Sequence, residues 1–296
     1  RLLHLIQHRM ANLKEIRNRI TSIGSTMQIT SAMKMVSAAK LKKAQDAITA
    51  MRPYSSKLTE LLQNLSATLD SDAGGEFSNQ REVSKALIVV VTSNRGLCGG
   101  FNSSVIKGTV SNIESNYKNV SVDLLTIGKK GNDILSKKHN VIESNTEIFD
   151  ELTFDNVAGI AEKLMGLFVD GSYDKIEIVY NQFKNAATQI TTVEQFLPIK
   201  PLEGENKNAN QDYIFEPTKE EIVLALIPKS LKTQLYKAIR DSFASEHGAR
   251  MTAMHKATDN ATDLRDDLLL TYNKARQAAI TNEILEIVGG AEALNN

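Results

Sequence analysis

The sequence predicts an α/β domain carried between two long helices that pair as an antiparallel coiled coil. Three observations predict it. From Lys229 to Leu294 there is no proline, and before Gly289 only Gly248 weakens a segment rich in Ala, Leu, Lys, Glu and Gln. At about 1.5 Å per residue such a helix runs roughly 100 Å, about twice the width of a compact domain of this chain length, so something else must cover it. A second helical stretch, from Asn12 to about Leu69, sets apolar residues mostly three or four apart, at Leu13, Ile16, Ile20, Ile23, Met27, Met33, Val36, Ala39 and Leu41. Between the two, β-branched runs alternate with helical patterns, as in a small, mostly parallel sheet with helices.

The elements follow in order. Asn12 is the expected N-cap of the first helix, with Glu15 at the capping-box spacing. Pro53 predicts a kink or local break. Ser71-Asp-Ala-Gly-Gly-Glu-Phe-Ser78 is a turn-rich break. Lys85-Ala-Leu-Ile-Val-Val-Val-Thr92 then has the pattern of a buried parallel strand. Further strands are expected over Val120–Ile127, around Val141–Phe149, and over Lys175–Phe183 and Thr188–Leu197. The intervening helices are expected near Phe101–Tyr117, Gly131–Lys138 and Val157–Asp170. Pro198, Pro201 and the run from Gly204 to Asn210 mark a surface loop, after which helical character resumes as early as Thr218. The two long helices are similarly amphipathic, so each can cover the other's apolar stripe. Neither keeps a strict heptad along its whole length, which predicts irregular supercoiling.

Composition narrows the class. Of 296 residues, 42% are hydrophobic but only 5% aromatic, with no Trp, a balance that suits long helices better than a β-sandwich. Cys98 is the only cysteine, which excludes an internal disulfide and suits a reducing compartment. No apolar run approaches the ~20 residues of a membrane-spanning helix. Met10-Ala-Asn-Leu-Lys14 reads like an initiation site, so residues 1–9 are expected to be an extension of little functional weight. Net charge is zero overall, yet residues 1–57 carry eleven Lys or Arg against two acids. So basic a helix points to nucleic acid, an anionic membrane or an acidic protein surface.

Enzyme chemistry has little support. Thr92-Ser-Asn-Arg-Gly-Leu-Cys-Gly-Gly-Phe101 follows a strand and precedes a helix, where a phosphate loop would lie. Its Gly96, Gly99 and Gly100 give the wrong spacing, and no GK[ST] follows, so a tight, closely packed turn is expected. Cys98 has Arg95 nearby but no recognisable histidine base, so an inert thiol is expected. Glu246-His247 and His255 invite a metal reading, but the pattern is not H-E-x-x-H and the histidines sit eight residues apart, too far along a helix for one ion, so both are expected on the helix surface. Asp259, Asp263, Asp266 and Asp267 lack the glycine loop of a calcium site and read as a solvated face.

Four motifs carry a family resemblance. Ile280-Thr-Asn-Glu-Ile-Leu-Glu-Ile-Val-Gly-Gly-Ala291 resembles the C-terminal signature of the γ subunits of F-type ATP synthases, matching at Ile280, Thr281, Glu283, Glu286, Gly290 and Ala291. Ile29–Lys40, Ser93–Asn102 and Ala249–Asn260 resemble the same family in the same order, so the likeness covers essentially Met10 to Asn296. It implies an N-terminal coiled-coil helix over 10–69, a Rossmann-like α/β domain over 84–212, and a C-terminal coiled-coil helix over 213–296. It also implies a rotor inside a ring of α and β subunits, its foot on a ring of c subunits, with ε and δ in the same assembly. Rotation would couple proton or sodium flow to ATP synthesis and hydrolysis, with the catalytic residues on β. No catalytic residue, metal, cofactor or nucleic acid is then expected for this chain.

By the same resemblance, Met33, Arg250, Arg276 and Gln277 match positions that face the α and β subunits, while Tyr213 and Glu216 match the foot on the c ring. An acidic loop of β would meet the basic helix, and the Gly289-Gly290 end would sit in an apolar bearing. Cys98 alone excludes a regulatory dithiol of the plastid kind. The start without a transit peptide is similar to bacterial members, at the cytoplasmic face of the inner membrane, with a processed mitochondrial chain on the matrix side as the alternative. The residues themselves leave two other readings: a nucleotide-binding α/β enzyme with helical arms, and a coiled-coil nucleic-acid binder.

Overall fold

In a computed structural model the described residues are 2–66, 75–199 and 218–294. Helix α1 spans Leu2–Ser66, followed by β1 (Lys85–Val91), α2 (Phe101–Asn116), β2 (Ser121–Ile127), α3 (Lys129–Leu135) and β3 (Asn140–Asn145). Then come α4 (Phe154–Val169), β4 (Lys175–Phe183), β5 (Gln189–Leu197) and α5 (Lys219–Leu294). The chain divides into two compact units, Arg1–Val36 with Ala253–Asn296, and Ser37–Thr252. Both boundaries fall inside the long helices.

The sheet unit is built on β1. The strand order is β3-β2-β1-β4-β5, with β1 parallel to both β2 and β4, β2 parallel to β3, and β5 antiparallel to β4. The apolar run of β1 is buried on both faces, as in a central parallel strand. Leu87, Val89 and Val91 face a core shared with Val157, Ala161, Leu164 and Phe168 of α4 and with Ile227, Leu231, Leu235 and Ile239 of α5. Ala86, Ile88 and Val90 face the opposite core, with Val105 and Ile106 of α2. The first turns of α5 therefore serve as a layer of the domain.

Several expectations are corrected. Helix α1 begins at Leu2, within the segment expected to precede it, so Asn12 lies inside the helix and is no N-cap. It passes Pro53 without a break, and α5 likewise passes Pro228. A proline inside a helix costs about 3 kcal/mol. Burial of Ile227, Leu231 and Leu235 against the sheet offsets that cost at Pro228. Strand β3 ends at Asn145, with a short 3₁₀ turn at Glu147–Phe149. Helix α4 starts at Phe154, where Thr153 accepts from the Asn156 amide as its N-cap.

In the other unit the two helices meet along a regular seam. On α1 the less exposed positions are Leu13, Ile16, Ile20, Ile23, Met27, Thr30 and Lys34, alternately three and four apart, with Gly24, Ser31 and Met33 beside them. On α5 they are Met254, Thr258, Ala261, Arg265, Leu268, Tyr272, Ala275, Ala279 and Asn282, in the same alternation, with Ala253, Ala257 and Thr262 beside them. Burial thus keeps the heptad that hydrophobicity alone concealed, because Thr30, Lys34, Thr258 and Arg265 occupy seam positions.

Candidate functional site

Within the sheet unit, α5 crosses the carboxyl ends of β1 and β4, where strand order reverses and where open α/β sheets hold ligands. Gly248 permits the crossing. A Cβ there would stand 3.1 Å from Ala186 Cα and 3.3 Å from Ala186 O, in the turn after β4. Thr252 Oγ1 donates to the same Ala186 carbonyl at 3.2 Å. Leu41, Ala44 and Ile48 of α1 close this contact against Ala244, with Phe183 and Ala186 packed alongside.

The loop after β1 is fastened to α5 by Arg250. Its Nη2 donates to the carbonyls of Arg95 (3.1 Å) and Gly96 (3.3 Å), and its Nη1 to Glu246 Oε1 at 2.5 Å. Cys98, Phe101 and Ala249 form a small apolar cluster beneath. Inside the loop, Ser93 Oγ donates to Arg95 O at 2.6 Å, Ser93 N donates to Asn102 Oδ1 at 2.9 Å, and Asn102 Nδ2 reaches Cys98 Sγ at 3.3 Å. Leu97 (φ 62°) and Gly99 (φ 59°) turn the backbone through the left-handed region. For leucine this conformation is unfavourable, and its side chain is 65% exposed.

The electrostatics match a buried clamp. Burial raises the Glu246 carboxyl above its ordinary range, and the charge of Arg250 only partly restores it. His247 is corrected from the helix surface to the interior, 5% exposed and edge-on to Phe243. Burial, then the positive charges of Arg250 and Lys40, lower its pKa to about 3. It is therefore neutral, with Nδ1 at 3.4 Å from Arg250 Nη1 and Nε2 without a hydrogen-bond partner among the described residues. Burial pushes the Cys98 thiol up, away from thiolate character.

The proposed partner-contact residues are distributed among different settings. Arg250 is 7% exposed, with its guanidinium engaged inside the chain. Met33 is half-buried beside the seam, and Arg276 and Gln277 are exposed on α5. Of the signature residues, Ile280, Thr281, Glu283, Glu286, Gly290 and Ala291 are all exposed. Past Asn282 the helix leaves Ile284, Leu285, Ile287 and Val288 uncovered, each more than half exposed. Tyr213 and Glu216 lie outside the described residues. Sequence reasoning met Glu246 only as a metal-ligand candidate beside His247 and missed its pairing with Arg250, although the two stand four residues apart, the spacing of a helical ion pair. It noted Gly248 without its reason, for which a lone glycine in a helix is the signal.

A parallel-sheet domain with its ligand crevice filled by its own helix, together with paired helices ending in a bare apolar tip, defines a class. It is a protein that presents helices to other proteins. A family model described as ATP synthase matches residues 12–294. An ATP synthase gamma chain of Flavobacterium psychrophilum is 74% identical over 285 residues, covering 96% of this chain and 99% of its own. One of Flavobacterium johnsoniae is also 74% identical, over 97% of this chain and 100% of its own. Among solved structures, a chain from the central stalk and c ring of Tetrahymena thermophila mitochondrial ATP synthase matches at 25% identity. Its TM-score is 0.59, over 77% of this chain and 99% of that one. The chain belongs to the ATP synthase gamma chain family.

Proposed function

We propose that the chain works as the central-stalk rotor of an ATP synthase, a non-catalytic subunit turning within a head of α and β subunits on a ring of c subunits. The observation that carries this is the end of α5, where Ile284, Leu285, Ile287 and Val288 stand uncovered beside the exposed signature residues. An isolated chain gains nothing from such a tip, whereas a shaft seated in an apolar bearing buries it. Arg276 and Gln277 contact the head directly, and Met33 lies against its moving element. Arg250 acts through the loop it holds, which turns Arg95 and Leu97 outward. Tyr213 and Glu216 form the foot on the c ring. The ε and δ subunits complete the assembly, which holds the chain at the cytoplasmic face of a bacterial inner membrane. No helix among the described residues is long and apolar enough to cross a membrane.

The test is reconstitution with α and β. The chain should co-purify with them in a 3:3:1 complex, and in vesicles carrying the whole assembly with its c ring, Arg276→Ala with Gln277→Ala should weaken ATP-driven ion pumping more than ATP hydrolysis. Unchanged coupling would remove these two residues from the contact. Tight one-to-one ATP binding by the isolated chain would favour the nucleotide-enzyme reading instead.

A further inference from the structure

The loop from Ser93 to Asn102 begins and ends on two residues that are bonded to each other. Ser93 is fully buried, and its amide donates to Asn102 Oδ1 at 2.9 Å, the one acceptor it has among the described residues. Asn102 Nδ2 donates back to Ser93 Oγ at 2.8 Å and reaches Cys98 Sγ at 3.3 Å. The serine hydroxyl has a single proton to give. Its contact with Arg95 O, at 2.6 Å, is closer than the 3.0 Å to Asn102 Oδ1, and giving the proton to Arg95 leaves the oxygen free to accept from the asparagine. A relay therefore runs from the Ser93 amide through the Asn102 carboxamide and the Ser93 hydroxyl to Arg95 O. It needs a donor and an acceptor on one short side chain, which Asn supplies and neither Asp nor Leu does.

Arg250 does not make this relay redundant. In the loop its hydrogen bonds end at the Arg95 and Gly96 carbonyls. The Lys130 amide holds Ser93 from the other side, but by its carbonyl. The turn through Leu97 (φ 62°) and Gly99 (φ 59°) lies between the grip of Arg250 and the Asn102 end. Such strain persists only where the surroundings over-determine it. Without the carboxamide, the Ser93 amide is a buried donor with no acceptor, and opening the turn to water relieves that lack together with the strain at Leu97. We infer that Asn102 is a positioning residue, which holds the turn so that Arg95 and Leu97 keep the outward presentation described above. The placing of this turn against the head rests on the rotor reading, whereas the relay does not.

Cys98 reports the opening. It is the only cysteine and is 2% exposed, so its rate of reaction with dithionitrobenzoate in the isolated full-length chain follows the open population of the turn. Asn102→Leu keeps the side-chain size and removes the relay. Ser93→Ala leaves the amide its acceptor and removes only the link to Arg95 O. Asn102→Leu should raise the thiol rate at least about tenfold, and Ser93→Ala by a smaller factor, with the tyrosine fluorescence of the folded sheet unit retained. Should Asn102→Leu lose that fluorescence, Ser93→Ala alone must show a rise. In vesicles carrying the whole assembly with its c ring, Asn102→Leu should lower the ratio of ATP-driven ion pumping to ATP hydrolysis at least about twofold. An unchanged thiol rate in both variants overturns the inference, and so does a raised rate with an unchanged pumping ratio. If the parent chain fails to assemble with α and β, the rotor reading falls by itself and the thiol rates alone decide the relay.

Discussion

Arg250→Ala removes one member of a buried pair and the two hydrogen bonds that Nη2 gives to the loop after β1. Glu246, 8% exposed, then keeps a carboxylate in the interior without its cation, and the Arg95 and Gly96 carbonyls lose the Nη2 that caps them. Breaking a buried ion pair from one side costs about 3–5 kcal/mol. The carboxyl already has a raised pKa, so it escapes part of this by taking up a proton, and the lower end, about 3 kcal/mol, is expected at pH 7. With a urea slope of about 2 kcal/mol per M, the midpoint should fall by about 1.5 M. The assay is tyrosine fluorescence during urea unfolding, since the chain has no Trp and Tyr117, Tyr173 and Tyr180 are buried in the sheet unit. Glu246→Gln combined with Arg250→Met should cost less than the sum of the single changes, because neither partner is then left charged and alone. A loss below about 1 kcal/mol for Arg250→Ala, or strict additivity in the pair, would refute the clamp.

Other expectations follow from neighbouring features. The folded pKa of His247, about 3, lies below its ordinary 6.5, so the unfolded chain binds a proton that the native state refuses. Its contribution is whole above pH 6.5 and is lost as pH falls toward 3, by up to about 1.4 kcal/mol per pH unit. Glu246 opposes this, since its raised pKa favours the protonated native state in acid. His247→Asn should therefore flatten the acid limb of a stability–pH curve, and an unaltered limb would dismiss the buried neutral histidine. Gly128→Ala should destabilise by at least about 3 kcal/mol, because φ is +102° and the new Cβ would lie 2.2 Å from Thr92 O. Gly24→Ala meets nothing within 4 Å inside α1 and should raise the helical melting temperature, by up to about 1 kcal/mol of stability. If the two glycines respond alike, the close-approach argument fails.

The strands were legible because β-branched runs bounded by polar residues have few other folded uses: four of the five lie within a residue of their expected bounds, and the third ends four residues early. Other features depended on long-range packing. The passage through Pro228 rests on α5 being a layer of the sheet domain, which no local propensity encodes. His247 looked like a surface residue because neighbouring helix positions are charged, yet from Leu235 to Arg250 α5 is walled by the sheet and by α1. The seam was hidden for the opposite reason, since Thr30, Lys34, Thr258 and Arg265 look exposed in the sequence and are not. Arg250 was singled out by resemblance, whereas its grip on a loop more than 150 residues away could come only from the fold.

The seam that sets Thr30 against Thr258 fixes an order of events during synthesis. The N-terminal helix emerges early, but its partner is translated 228 residues later. At about 5–20 residues per second this delay is roughly 10–50 s, during which the sheet can assemble while the first helix keeps an uncovered apolar stripe. The chain's ends are therefore its last parts to mature, and the newborn helix needs a temporary companion on the ribosome or must remain soluble through its own positive charge.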